Sequence, residues 1–142
     1  MVMSCKNIFS YMEIALVWAK NSKAKRSKVG CIIVKDNMII SDGYNGMPSG
    51  FDNTCEVEVD GECTTRLEVI HAEANALCKL AKSTQSSEGA ILFTTMAPCY
   101  ECAKLIIQSG IKLVYYFESY RDTEGRELLE KAGIQTKLLL VT

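Results

Sequence analysis

With 142 residues, 48% of them hydrophobic, the chain has enough material for one domain that buries a core without disulfide staples. Sixteen Lys and Arg against seventeen Asp and Glu leave a net charge of −1, which excludes a broad electrostatic footprint for DNA or RNA. No apolar run is long enough to cross a bilayer, and the opening residues Met1-Val2-Met3-Ser4-Cys5-Lys6 lack the basic segment and apolar core of a secretory signal.

Ile8, Met12, Ala15, Leu16 and Ala19 recur at helical spacing and predict an amphipathic helix over residues 7–20. The cations that follow, Lys20, Lys23, Lys25, Arg26 and Lys28, read as a solvated turn beside the helix's C-terminal dipole. A small phosphate-bearing ligand would need only one or two of them. Val29 to Val34 and Met38 to Ile40 are apolar runs flanking the turn pair Asp36-Asn37, so they read as an antiparallel hairpin. Residues 41–65, rich in Gly, Ser, Asp and Asn, read as a long loop in which Tyr44, Met47 and Phe51 point to packing or an interface.

A second helix is expected over residues 70–81, with Ala72, Ala76, Leu77 and Leu80 along one side. The pattern then alternates: strand 90–95, helix 98–109, strand 112–117, helix 124–132 and strand 135–141, with Gly110 and Gly133 at helix C-caps. Strand-helix alternation with short joints implies right-handed crossovers and a parallel half-sheet. The fold class is therefore α/β, a five-stranded mixed sheet flanked by helices and antiparallel at its N-terminal hairpin. No repeat, linker or low-complexity tract divides residues 1–142.

Seven cysteines are an odd number, and two stand in a metal-type C-x-x-C, which fits a reduced cytoplasm better than disulfides. Cys5, Cys31 and Cys78 read as small buried hydrophobes. Chemistry concentrates in His71-Ala72-Glu73 and Pro98-Cys99-Tyr100-Glu101-Cys102. One imidazole and two thiols suit three protein ligands to one zinc ion; a catalytic site leaves the fourth position to water, a structural one closes it. Cys99 and Cys102 share a helix face, Pro98 suits a first helical turn, and the helix N-terminus favours thiolates. Glu73, two residues beyond the histidine, is the natural proton carrier for the zinc's water. Cys55 and Cys63 could contribute to a second metal, but His71 is the sole histidine.

The H-x-E…P-C-x-x-C pattern is that of the zinc nucleobase deaminases. It stands together with Gly43-Tyr44-Asn45-Gly46-Met47-Pro48-Ser49-Gly50, Cys55, His71-Ala72-Glu73-Ala74-Asn75-Ala76, Val29 to Val34 and Gln108-Ser109-Gly110-Ile111-Lys112. On these motifs, over residues 8–135, the chain resembles the deoxycytidylate (dCMP) deaminases of the cytidine deaminase superfamily. The resemblance implies a single deaminase domain with the three-layer α/β/α cytidine-deaminase-like fold, one catalytic zinc per chain and hydrolysis of dCMP to dUMP and ammonia, feeding thymidylate synthesis. It implies that Asn45 contacts the deoxyribose hydroxyl, the Ala72 N–H the cytosine carbonyl, and Arg26 and Tyr120 the 5′-phosphate.

It further implies a homohexamer activated by dCTP and inhibited by dTTP, with Gly43, Tyr44, Asn45 and Gly46 serving the regulatory nucleotide and Mg2+ accompanying a triphosphate. The short connection between residues 52 and 69 departs from relatives that carry a larger insertion there with extra zinc-binding histidines. Activity on dCTP as well stays open. Other readings are a deaminase of tRNA adenosine or free cytidine, or a catalytically silent nucleotide sensor stapled by zinc. A basic surface would favour the tRNA reading, phosphate independence the nucleoside reading, and zinc without ammonia release the sensor.

Overall fold

Continuous buried runs along β1 (Gly30–Lys35) and β5 (Ile91–Met96), rather than an alternation of buried and exposed residues, mark a sheet covered on both faces. The computed structural model describes residues 7–142. The remaining elements are α1 (Ile8–Ala19), β2 (Met38–Tyr44), β3 (Glu56–Val59), β4 (Glu62–Thr65), α2 (Ala72–Ala81), α3 (Tyr100–Gln108), β6 (Leu113–Glu118), α4 (Glu124–Lys131) and β7 (Gln135–Leu138). Five strands form one sheet in the order β2-β1-β5-β6-β7. β1 runs antiparallel to both β2 and β5, whereas β5, β6 and β7 are parallel. This is the α/β mixed sheet expected from the sequence.

Strand periodicity sorts the core into two clusters. Cys31, Ile33, Leu92 and Val114 pack with Ala76, Ala103, Ile106 and Leu129, under α2, α3 and α4. Ile32, Val34, Phe93 and Tyr115 face the other way and meet Ile8, Met12 and Ala15 of α1. There Phe93 stacks on Tyr115 with ring centroids 5.1 Å apart, and Tyr11 closes on Phe93 at 5.3 Å. Aromatic pairs in such arrangements stabilise somewhat beyond their buried area.

Two glycines let helices lie directly on strands. A Cβ on Gly30 would sit 2.1 Å from the Ala15 carbonyl oxygen of α1, and one on Gly43 would sit 2.6 Å from that of Ala72 in α2. The closest neighbour of Gly43 is thus the chain's own second helix.

Four expectations need correction or limitation. The segment 41–65 is not one long loop: β2 runs on to Tyr44, and β3 and β4 form a separate two-stranded hairpin. Its turn is Asp60-Gly61, both at positive φ (51° and 79°), the two-residue connection whose twist matches a hairpin. Cys78 is exposed and not a core residue, because it projects from α2 beside Lys79 and away from the face defined by Ala76 and Leu80. Pro98 precedes the α3 N-cap instead of occupying the first turn. Cys5 lies outside the described residues. Among the described residues no helix is long and apolar enough to cross a membrane.

Gly43 and Gly46 separate packing from mere turn preference. Gly43→Ala should lower unfolding free energy by about 1–3 kcal/mol through overpacking against α2. Gly46→Ala, with nothing within 4 Å of the added Cβ, should stay within about 0.5 kcal/mol. Urea denaturation of both variants checks the contrast.

Candidate active site

β2, β5 and β6 all end on the same side of the sheet, where β1 begins, and the segments at that edge converge on one pocket. His71 is the N-cap of α2, in extended conformation, and Cys99 is the N-cap of α3. The residue before His71 is pinned by an isolated bridge: Gly46 N–H donates to the Ile70 carbonyl at 3.1 Å and Ile70 N–H to that of Gly46 at 2.8 Å. Asn75 Nδ2 donates to the Tyr44 carbonyl at 2.8 Å, tying α2 again to the end of β2.

His71 Nδ1 lies 3.4 Å from Cys99 Sγ and 3.4 Å from Cys102 Sγ. All three ligand atoms fall within 4.8 Å of one another. A tetrahedral zinc bonded to sulfur at ~2.3 Å and nitrogen at ~2.0 Å sets ligand edges of roughly 3.5–3.8 Å, so the donor set and its spacing fit that ion. The Cys102 N–H also donates to Cys99 Sγ at 3.5 Å. Pairing with Cys102, against the opposing effect of burial and helped by the His71 ring, lowers Cys99 to about 4. The same pairing, with burial, holds the Cys102 thiol well above its ordinary value. Hydrogen bonding to Cys99 raises His71.

α4 supports this centre from behind. A Cβ on Gly125 would meet the Pro98 carbonyl oxygen at 2.3 Å and the Cys99 carbonyl carbon at 2.8 Å, so the helix rests on the backbone that presents Cys99. Nothing in the sequence pattern marks this glycine except its place near the start of the last helix.

The cavity beside the cluster measures about 420 Å³, and His71, Glu73 and Cys99 line it. Glu73 is only 4% exposed, and burial pushes its carboxyl up to about 7 against the opposing pull of its own backbone N–H and of His71. Ala72, fully buried, is the first residue of α2, where a helix N–H lacks an intrahelical acceptor. Asn45 also lines the cavity, but its side chain has a structural duty: Oδ1 accepts from Val29 N–H at 2.9 Å and Nδ2 donates to the Ser27 carbonyl at 2.8 Å. One amide hydrogen and one lone pair remain for anything in the cavity.

Of the five clustered cations, Arg26 alone lines the cavity, together with Tyr120. Sequence reasoning missed Arg121, which also lines it and holds its guanidinium 5.8 Å over the Tyr120 ring, and missed Glu56 and Thr65 of the hairpin. The signals were present: a cation adjacent to Tyr120, and an Asp-Gly pair between alternating strands. Tyr44 turns outward, 36% exposed, with its ring edge-on to Trp18 at 6.4 Å. Cys55 is buried and Cys63 exposed; among the described residues neither joins a group of three metal-capable side chains.

A family model described as the cytidine and deoxycytidylate deaminase zinc-binding region matches residues 6–118. The chain is 38% identical to ComE operon protein 2 of Bacillus subtilis (strain 168), over 87% of this chain and 66% of that protein, just under two thirds of its length. It is 36% identical to the deoxycytidylate deaminase of Homo sapiens, over 92% of this chain and 82% of that one. The crystal structure of dCMP deaminase from cyanophage S-TIM5 in complex with dCMP and dUMP superposes with a TM-score of 0.90 at 45% identity, covering 96% of this chain and 100% of that chain.

The packing at Gly125 has a direct consequence. Gly125→Ala forces the Pro98–Cys99 backbone to shift, so this variant should lose zinc several-fold faster than the parent in a chelator challenge. It should also be destabilised by about 1–3 kcal/mol. Zinc release followed with a chromogenic chelator, beside thermal unfolding, checks both.

Proposed function

The chain belongs to the cytidine and deoxycytidylate deaminase family, and on that premise we propose that it hydrolyses dCMP to dUMP and ammonia. The observation that carries this reading is that one cavity gathers both kinds of group. His71 and Cys99 of the metal-type cluster, buried Glu73, Arg26 and Tyr120 all line it. In this reading His71, Cys99 and Cys102 hold zinc, which when bound supplies a water acidified from about 15.7 toward roughly 7.

Glu73 does the proton work. Its carboxylate takes one proton from water and delivers it to the ring nitrogen beside C4, then takes the second from the new C4 hydroxyl and passes it to the amino group, which departs as ammonia. Burial in the cavity wall keeps this carboxyl between its two protonation states near neutrality, which suits a group that both accepts and donates. The N–H of Ala72 donates to the cytosine carbonyl, Asn45 meets the deoxyribose hydroxyl with its remaining amide hydrogen and lone pair, and Arg26 and Tyr120 bind the 5′-phosphate. A zinc staple without catalysis has no use for a carboxyl buried at such cost beside the metal ligands.

Regulation is the finer part of the same proposal: dCTP, as its Mg2+ complex, activates and dTTP inhibits at Gly43, Tyr44, Asn45 and Gly46, in a cytoplasmic homohexamer. Support comes from adjacency: Tyr44 faces outward while Asn45, its neighbour, lines the cavity, so one segment touches both places.

The first test is ammonia release by the zinc-loaded protein from dCMP, dCTP, deoxycytidine and CMP, with dCTP or dTTP added to the dCMP series. Preference for dCMP with effector-dependent rates is expected; preference for an unphosphorylated nucleoside would discard the phosphate roles of Arg26 and Tyr120. Glu73→Gln should keep its zinc and lose about 10²–10⁴-fold in kcat. Arg26→Ala should raise KM for dCMP and leave deoxycytidine turnover unaffected, as read by steady-state kinetics on both substrates.

A further inference from the structure

The β3–β4 hairpin stands apart from the main sheet, yet it reaches the pocket through one cross-strand pair. Glu56 and Thr65 sit directly opposite each other in its register. Both line the cavity. One oxygen of the Glu56 carboxylate accepts two successive N–H groups, from Lys25 at 2.8 Å and from Arg26 at 3.1 Å. Thr65 Oγ1, across the pair, accepts from Arg26 Nη1 at 3.3 Å. Backbone and guanidinium of the same arginine are therefore held from the same rung of the hairpin.

The base of the hairpin is itself tied down. Arg66 N–H donates to the Cys55 carbonyl at 2.8 Å, and its guanidinium reaches Asp52 Oδ1 at 3.1 Å and the Thr54 carbonyl at 3.0 Å. Where the charges sit matters as much as where the atoms do. The Glu56 carboxylate is spent on neutral amides, and the guanidinium is steadied by a neutral hydroxyl. Among the described residues Arg26 makes no ion pair. Among the described residues its guanidinium uses only one of its five N–H donors, which leaves four to meet a ligand.

We propose that Glu56, with Thr65, is a positioning residue that presets Arg26 for the 5′-phosphate, making the β3–β4 hairpin the element that separates nucleotides from nucleosides. The proposal rests on the reading that this cavity takes a cytosine nucleotide. The physical reason is preorganisation: an arginine ordered before the ligand arrives loses less freedom on binding, and its planar fork meets a phosphate in bidentate fashion. Acceptance of two N–H groups by a charged oxygen is stronger than by a neutral one, which explains a carboxylate at this position.

The experiment uses the zinc-loaded full chain with Glu56→Ala, Glu56→Gln and Thr65→Val. Steady-state kinetics on dCMP are combined with calorimetric binding of dUMP and deoxyuridine. Glu56→Ala should raise KM for dCMP and weaken dUMP by about tenfold, with kcat within about twofold. Deoxyuridine binding should not change. Glu56→Gln, which keeps a carbonyl acceptor, should recover most of the loss, and Thr65→Val should move the same way by less.

Unchanged KM and dUMP affinity in Glu56→Ala would overturn the proposal. So would equal weakening of dUMP and deoxyuridine, or a fall in kcat accompanied by zinc loss. Should Glu56→Ala fail to fold, the near-isosteric Gln and Val variants carry the comparison. A parent protein that releases no ammonia from dCMP overturns the functional reading, and the dUMP comparison still decides the role of Glu56.

Discussion

Two helix N-termini must meet within the width of one ion, and most of the chain's architecture follows from that requirement. His71 caps α2 and Cys99 caps α3, so the two helices have to leave the same end of the sheet on the same face. The ligand contacts of 3.4 Å exist only because each helix is seated at a fixed height. Gly43 sets that height for α2 by letting it touch β2, and Gly125 lets α4 brace the strand-to-helix turn that precedes α3. Both helices present the positive ends of their dipoles to the Cys99 and Cys102 sulfurs, an arrangement that favours a thiolate there, so electrostatics and packing act together.

The same constraint explains why the cavity has two kinds of wall. Part of its lining comes from helix termini that the core holds rigidly. The rest comes from connections: the segment before β1, the residues after β6 and the detached hairpin. Rigid elements place atoms that must sit within tenths of an ångström, and loops supply groups chosen for charge. Asn45 joins the two, because its amide fixes the Ser27–Val29 backbone while its side chain borders the cavity.

What the sequence revealed follows the range over which each signal acts. Helices and sheet strands were legible because Ile8, Met12, Ala15 and Ala19, or Ile32 and Val34 against Cys31 and Ile33, report the core through periodicity alone. The metal cluster was legible because its ligands stand in two short motifs. The β3–β4 hairpin was not, since Val57 and Val59 alternate with Glu56 and Glu58 over only four residues and both valines are half exposed. Its Asp-Gly turn was the one firm clue, and the surrounding polar composition hid it. Gly125 was out of reach for another reason: a glycine's neighbours are set by tertiary packing and leave no trace in spacing.

Trp18 is the only tryptophan in the chain. Among the described residues its buried indole N–H has no hydrogen-bond partner, and its ring meets Tyr44 edge-on, one residue before Asn45 at the cavity wall. The fold thereby sets a single indole against the short stretch that links surface to pocket. Excited at wavelengths the six tyrosines do not absorb, its emission is a label-free optical readout of that stretch with no second indole to blur it.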